Sequence, residues 1–309
     1  RCRCLRRGVD VRGGHPAQVG MMGTPTDSQD GAPRTTSARG PLGGLAAATS
    51  LFTILPAPMI ADVDRRVATR AIRAFPWLGL CLGVVGGLIA GGVLAMGAGS
   101  WLAAILALVW LTGATGGFHL DGVADTADGL GSRRDAARAL EIMKQSDIGP
   151  MGVIALVLTL LVDLGALSSL TGTAGALGAG SWWRVGLLVM LGPSVARAAI
   201  IVATMPSIPC ARPGGFGSLV AGVSTPRTVA VNFAALELVW AALGWAVGGW
   251  QWAVTVAVAT LVALGMAWLW IRHLVKRFGG LTGDCYGSIN ELTQTVTWTL
   301  LALALAVVA

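Results

Sequence analysis

Charge is what this sequence has least of: only 12% of its 309 residues are Asp, Glu, Lys or Arg, where a soluble domain carries roughly 25%. With 54% hydrophobic residues and a mean hydropathy of +0.71, there is too little polar surface to cover a soluble globule of this size. A bilayer is the natural solvent. A disulfide framework is missing as well. The cysteines are Cys2, Cys4, Cys81, Cys210 and Cys285, an odd number with no zinc spacing, so neither a stapled secreted fold nor a zinc module is expected. No internal repeat of fixed period is evident. The excess of basic residues, formally +7, does not indicate nucleic acid in so apolar a chain, because basic residues there gather in cytoplasmic loops.

Residues 1–41 lack a periodic apolar face and the apolar core of a secretion signal. They read as a disordered Arg-rich tail, with Met21 or Met22 as an alternative start, ahead of one membrane-embedded unit over 42–309. Nearly uncharged stretches of bilayer-crossing length, about 20 helical residues, occur at 75–98, 101–117, 150–171, 185–206, 228–248, 251–271 and 293–309. The fold class is therefore all-α, a polytopic bundle of about seven transmembrane helices. The apolar stretch 42–60 is interrupted by Gly43, Gly44, Pro56 and Pro58, which leaves it as an eighth span, a re-entrant segment or an interfacial helix. An eighth span would carry the seven arginines of the tail outside, so a non-spanning segment is favoured. Many glycines, among them Gly83, Gly86, Gly87, Gly91 and Gly92, fall inside spans and suit close helix packing.

The connections alternate in charge. Arg65, Arg66, Arg70 and Arg73 lie in 61–74, Arg133, Arg134, Arg138 and Lys144 in 118–149, Arg212 and Arg227 in 207–227, and Arg272, Lys276 and Arg277 in 272–292, whereas the intervening connections hold only Arg184. The positive-inside rule turns the four basic loops to the cytoplasm. Most of the polar chemistry is thereby put on one face.

The richest loop reads Gly117-Phe118-His119-Leu120-Asp121-Gly122-Val123-Ala124-Asp125-Thr126-Ala127-Asp128-Gly129. Asp121, Asp125 and Asp128, at i, i+4 and i+7, share one helical face. Three such carboxylates repel unless a cation lies among them, and magnesium takes oxygen ligands from one or two carboxylates together with substrate phosphates. A solvated acidic face is the plainer alternative, although Gly116, Gly117, Gly122 and Gly129 are poor helix formers. His119 is suited to phosphate binding, proton shuttling or general-base work, or to a structural hydrogen bond. Glu141 and Lys144 form an i, i+3 pair, which reads as a surface ion pair unless Lys144 takes phosphate. Farther on, Gly279, Gly280, Gly283 and Gly287 surround Asp284 and precede Glu291, offering backbone amides to an anion and carboxylates to a metal or hydroxyl. A glycine-rich turn explains them too. Asp163, Arg197 and Glu237 lie within spans, where ionisable groups face protein or water; Arg197 is expected either to pair with Glu237 or Asp163 or to reach a phosphate.

TGGFHLDGVADTADGLGS (115–132), ALEIMKQSDIGPMG (139–152) and GGLTGDCYGSINELT (279–293) together resemble the cobalamin synthase family, the adenosylcobinamide-GDP ribazoletransferases, with weaker support from LFTILPAP (51–58) and FPWLGLCLG (75–83). The similarity covers roughly 42–309 and departs from the family pattern at Asp147, Cys285 and Tyr286. The resemblance implies a magnesium-dependent enzyme of the prokaryotic cytoplasmic membrane. It would join α-ribazole, or its 5′-phosphate, to adenosylcobinamide-GDP with release of GMP. It implies Asp121, Asp125 and Asp128 as metal ligands, Asp121, Asp125 and His119 as catalytic groups, and Lys144, Arg197, Asp284 and Glu291 as substrate contacts; the lipid bilayer is the other partner, and no nucleic acid is expected. Another membrane phosphoalcohol transferase or prenyltransferase is the alternative within enzymes. A transporter is the alternative outside them, and would concentrate its polar groups at the midplane.

Overall fold

A computed structural model of the chain describes residues 42–60, 62–172 and 180–308; the expected tail at 1–41 lies outside them. The architecture is all-α and polytopic. The helices are α1 (Gly43–Phe52), α2 (Arg65–Ala95), α3 (Ser100–Ala114), α4 (Phe118–Gly131), α5 (Ala136–Ile142), α6 (Pro150–Gly172), α7 (Trp182–Val189), α8 (Leu191–Ala203), α9 (Gly215–Val220), α10 (Pro226–Gly248), α11 (Trp250–Phe278) and α12 (Gly283–Val308).

Among the described residues, five helical segments are long and apolar enough to cross a membrane: α2, α6, the run Trp182–Ala203 formed by α7 and α8, α10 and α11. They account for five of the seven expected spans. The expected span 101–117 becomes α3, only 15 residues, followed by α4 after a bend of 86°. The expected span 293–309 falls within α12, one 26-residue helix whose first half buries Ser288, Asn290, Glu291, Thr293 and Gln294 inside the bundle. α1 has ten residues, about 15 Å at 1.5 Å per residue, which is half a hydrocarbon core. It packs on α2 through Phe52 and Phe75, ring centroids 4.3 Å apart. The basic charges expected in loops 61–74 and 272–292 are helical: they form the first turns of α2 and the last turns of α11.

The core is the Trp182–Ala203 segment, buried from Leu191 to Ile201. Its close approach to α2 follows from a glycine stripe. A Cβ on Gly79, Gly83 or Gly87 would stand 2.2, 2.5 or 2.3 Å from the carbonyl oxygens of Pro193, Met190 and Gly186, so only glycine lets the two backbones touch. Trp298 Nε1 donates to Val189 O at 2.9 Å and Trp240 Nε1 to Ser194 Oγ at 3.1 Å, tying α12 and α10 to the same segment. The outward faces are apolar, with Leu158, Leu161, Leu238 and Leu261 exposed as a lipid boundary requires. A Gly87→Leu variant is expected to lose stability by about 3 kcal/mol or more, because overpacking against backbone cannot relax by a rotamer change. Gly92→Leu, with nothing within 4 Å of its Cβ position, is expected to melt like the parent. Thermal denaturation in detergent compares the two, and equal midpoints would overturn the packing role of the stripe.

Candidate functional site

The site begins at the bend between α3 and α4. Gly116 and Gly117 both adopt left-handed φ, 62° and 72°, a conformation that is costly for any residue with a Cβ, and the chain turns through 86° in that short space. α4 therefore does not continue the crossing of α3. It lies against α12 instead, where a Cβ on Gly122 would meet Asp284 O at 2.6 Å and one on Gly287 would meet His119 O at 2.9 Å. The glycines that weaken the helical propensity of this segment are thus its turn and its contact surface.

This crossing brings four separated parts of the sequence to one pocket of about 460 Å³. Its lining includes Phe118 and Asp121 from α4, Lys144 after α5, the stretch from Cys210 to Gly217, and Thr282 to Asp284 at the start of α12. Asp121 is exposed and Asp125, one turn on, is half-buried. Burial pushes the Asp125 carboxyl up to about 7, with the negative charges of Asp284, Asp121 and Asp128 pushing the same way and Arg212 opposing them. Asp284 is also raised, first by burial; Arg212 and the Thr282 hydroxyl pull it down and Asp121 adds to the rise. Carboxyls raised by burial and by one another's charge would be relieved by a cation.

Asp128 has a different occupation. Its Oδ2 accepts from Gly149 N at 2.7 Å and its Oδ1 from Gly152 N at 2.8 Å, capping the start of α6 from another helix. A Cβ on Gly149 or Gly152 would stand 2.4 or 2.5 Å from those same oxygens. The Ile148-Gly149-Pro150-Met151-Gly152 motif is therefore the receptor of the Asp128 carboxylate. As they stand, no three His, Cys, Asp or Glu side chains among the described residues converge to hold a metal ion. Asp121 and Asp284 nevertheless supply hard oxygen donors to one pocket, and Asp125, one turn from Asp121, feels the charge of both, which fits a divalent cation that completes its shell with water and phosphate.

His119, Arg197 and Glu291 are brought together, but not in this pocket. His119 is 3% exposed and Arg197 2%, and with Glu291 and Gln294 they line a separate small void under the α3–α4 bend. Asn290 Nδ2 lies 3.2 Å from His119 Nδ1 and 3.3 Å from Glu291 Oε1, while Gln294 Nε2 donates to Glu291 Oε2 at 3.2 Å. Burial, then the positive charge of Arg197, lowers the His119 pKa well below its ordinary value, so the ring is neutral. Neither of the ion pairs expected of Arg197 forms. Its Nη1 donates to Pro193 O at 3.0 Å and its guanidinium lies over the Phe75 ring, while Glu237 accepts from Thr260 Oγ1 at 3.2 Å and Asp163 faces Thr295 and Glu291. The expected Glu141–Lys144 pair is also replaced. Glu141 accepts from Arg138 at 2.6 Å because α5 ends at Ile142, and Lys144, beyond the helix, is left to the pocket.

The pocket thus sets two carboxylates, Asp121 and Asp284, beside two cations, Lys144 and Arg212. The model of the family described as cobalamin-5-phosphate synthase matches residues 44–302. The chain belongs to that family. Among similar curated proteins, each named adenosylcobinamide-GDP ribazoletransferase, one from Frankia casuarinae is 36% identical, covering 84% of this chain and 94% of its own. One from Bradyrhizobium diazoefficiens is 36% identical over 85% of this chain and 95% of its own, and one from Brevibacillus brevis is 32% identical over 81% and 93%. No solved structure matches. The prenyltransferase and transporter alternatives are not favoured by these matches.

In this cobalamin-5-phosphate synthase family member, Arg212, Phe118 and Phe216 join the pocket, and Asn290 and Gln294 partner His119 and Glu291, none of which is expected from the sequence. Arg212-Pro213-Gly214-Gly215 carried a signal of the same kind as the loop around Asp284, a cation beside glycines. Asn290 and Gln294 carried none, since polar residues in an apolar helix do not announce which neighbour they meet.

Proposed function

We propose that this chain joins α-ribazole, or its 5′-phosphate, to adenosylcobinamide-GDP and releases GMP, giving adenosylcobalamin or its 5′-phosphate. The observation that carries this reading is the meeting of Asp121, Lys144 and Asp284, from three separate motifs, around a single pocket. In the reaction the ribose hydroxyl oxygen attacks the corrinoid-side phosphorus of the diphosphate. The bond from that phosphorus to the GMP oxygen breaks, GMP leaves with the electron pair, and the hydroxyl proton passes to a carboxylate. In this reading Asp121, the exposed member of the acidic face, takes that proton; His119, buried beneath, orients the α4–α12 contact through Asn290.

Lys144 is a point charge at the pocket wall, suited to a phosphate oxygen. Asp121, Asp125 and Asp284 would hold a magnesium ion, with Asp128 contributing by fixing the end of α6. When bound, that ion supplies neutralisation of the diphosphate charge as the transition state develops. The pocket side is assigned to the cytoplasm: the arginines of early α2 and the basic end of α11 lie there, while the exposed Trp101, Trp182, Trp245 and Trp250 stand at the opposite helix ends, as interfacial aromatics do.

Membranes containing the protein, supplied with adenosylcobinamide-GDP, α-ribazole and magnesium, are expected to yield corrinoid product and GMP in equal amounts, and chelation is expected to stop both. Folded protein that forms neither product would sink the reading.

A further inference from the structure

Two cationic side chains line the pocket, Lys144 and Arg212, and Arg212 is the one already engaged. Its Nη2 lies 3.4 Å from Asp284 Oδ2, an oxygen that also accepts from Thr282 Oγ1 at 3.2 Å. A charge-assisted bond is usually about 2.7–2.9 Å long, so the pair is loose. A guanidinium has five N–H donors in a fork that matches phosphate; here Asp284 takes the one hydrogen bond that the Arg212 guanidinium makes among the described residues, and its Nε is buried without an acceptor.

The position of Arg212, by contrast, is firmly held. Ala211 N donates to Leu281 O at 3.0 Å and Leu281 N to Pro209 O at 2.9 Å, a short parallel pairing centred on Cys210 and Leu281. At Gly280 a Cβ would lie 2.6 Å from Ala211 N and 2.7 Å from Pro209 O, so the two segments touch along their backbones. Gly214 and Gly215, with φ of 83° and 77°, then turn the chain so that Arg212 and Phe216 line the same pocket. Opening the Arg212–Asp284 contact therefore leaves both groups facing that pocket.

We propose that Arg212 is the diphosphate ligand of this site, held in reserve by Asp284. Asp284, once engaged with a divalent cation, lets go of the guanidinium, and Arg212 turns its fork to the non-bridging oxygens of a nucleoside diphosphate ester. Guanidinium and cation exclude each other on Asp284 because both neutralise the same carboxylate, and the diphosphate gains from both once they are separated. This rests on the cation-dependent transferase reading above, and it moves to Arg212 the phosphate contact expected of the buried Arg197.

The test uses the full chain in detergent, with equilibrium binding of GDP and, separately, of Mn²⁺ by its spin-resonance signal. Arg212→Gln is expected to weaken GDP binding by about tenfold to a hundredfold, the worth of charge-assisted hydrogen bonds, and to tighten Mn²⁺ binding. Asp284→Asn is expected to do the opposite on both counts, weakening Mn²⁺ and strengthening GDP binding in metal-free buffer. Arg212→Lys, keeping charge without the fork, is expected to recover part of the GDP affinity, which also shows that the loop still folds. Wild-type GDP affinity in Arg212→Gln, or no GDP binding by the parent protein, overturns the assignment. An Asp284→Asn variant with unchanged metal-free GDP binding overturns the holding role. Arg212-dependent GDP binding by a protein that makes no corrinoid product would instead sink the transferase reading and leave the Arg212 assignment standing.

Discussion

Asp125→Asn is expected to lower the transferase rate by at least about a hundredfold, the scale of losing one group that stabilises transition-state charge, while raising the stability of the metal-free protein. The opposite signs share one cause. In the folded chain the Asp125 carboxyl titrates at about 7, against an ordinary 3.8, because it is buried and crowded by Asp284, Asp121 and Asp128. Between those two values the folded state holds a proton that the unfolded state has lost, so metal-free stability falls as pH rises through that window. Asparagine carries no charge to repel, and the slope should flatten. Magnesium should stabilise the parent at pH 8 and do much less for Asp125→Asn. Asp121→Asn, on the same face but exposed, is expected to lose activity comparably with a smaller gain in stability. Melting curves at pH 5 and pH 8, with and without magnesium, beside the rate assay, decide the matter; a fully active Asp125→Asn enzyme with unchanged magnesium dependence would overturn the role of the cluster.

The second large effect concerns Asp128, on the same acidic face and expected from its spacing to behave like the other two. Asp128→Ala leaves the amides of Gly149 and Gly152 without their acceptor and is expected to cost about 1–3 kcal/mol, the range for an orphaned, partly buried donor. The rate should fall with it, since the start of α6 packs on α4, which carries Asp121 into the pocket. Asp128→Asn, which keeps one oxygen acceptor, should recover much of the stability and retain the magnesium dependence of the parent. Gly152→Ala should resemble Asp128→Ala, because its Cβ would fall 2.5 Å from Asp128 Oδ2. Should Asp128→Asn instead abolish the magnesium response while melting like the parent, Asp128 is a metal ligand and its bonds to α6 are incidental.

The composition alone established a membrane protein, and the spacing of apolar stretches located five of its crossing segments, although α2 begins ten residues before the expected span and α11 runs seven beyond it. Both follow from solvation: a lipid-facing surface must be apolar over the whole bilayer thickness, and such a run is visible in one dimension. Asp121, Asp125 and Asp128 sit on one helix, as their spacing required. Of the three, Asp121 lines one pocket with Lys144 and with Asp284 of the glycine-rich stretch.

What the tertiary structure decided is how those groups divide their work. Two left-handed glycines turn α4 across the bundle, and the depth at which a side chain ends on such a crossing helix depends on what it crosses. His119, two residues from Asp121, is consequently buried against Asn290 while Asp121 is open. Asp128 meets the amides of α6, and Arg197 is enclosed beneath the bend although its charge suggested a ligand. Arg212, unremarkable in its loop, faces the pocket because its segment pairs with Leu281, a contact across 71 residues of chain. Periodicity along one helix reports which side chains share a face; only the packing of a second helix against that face determines which of them still meet water, substrate or metal.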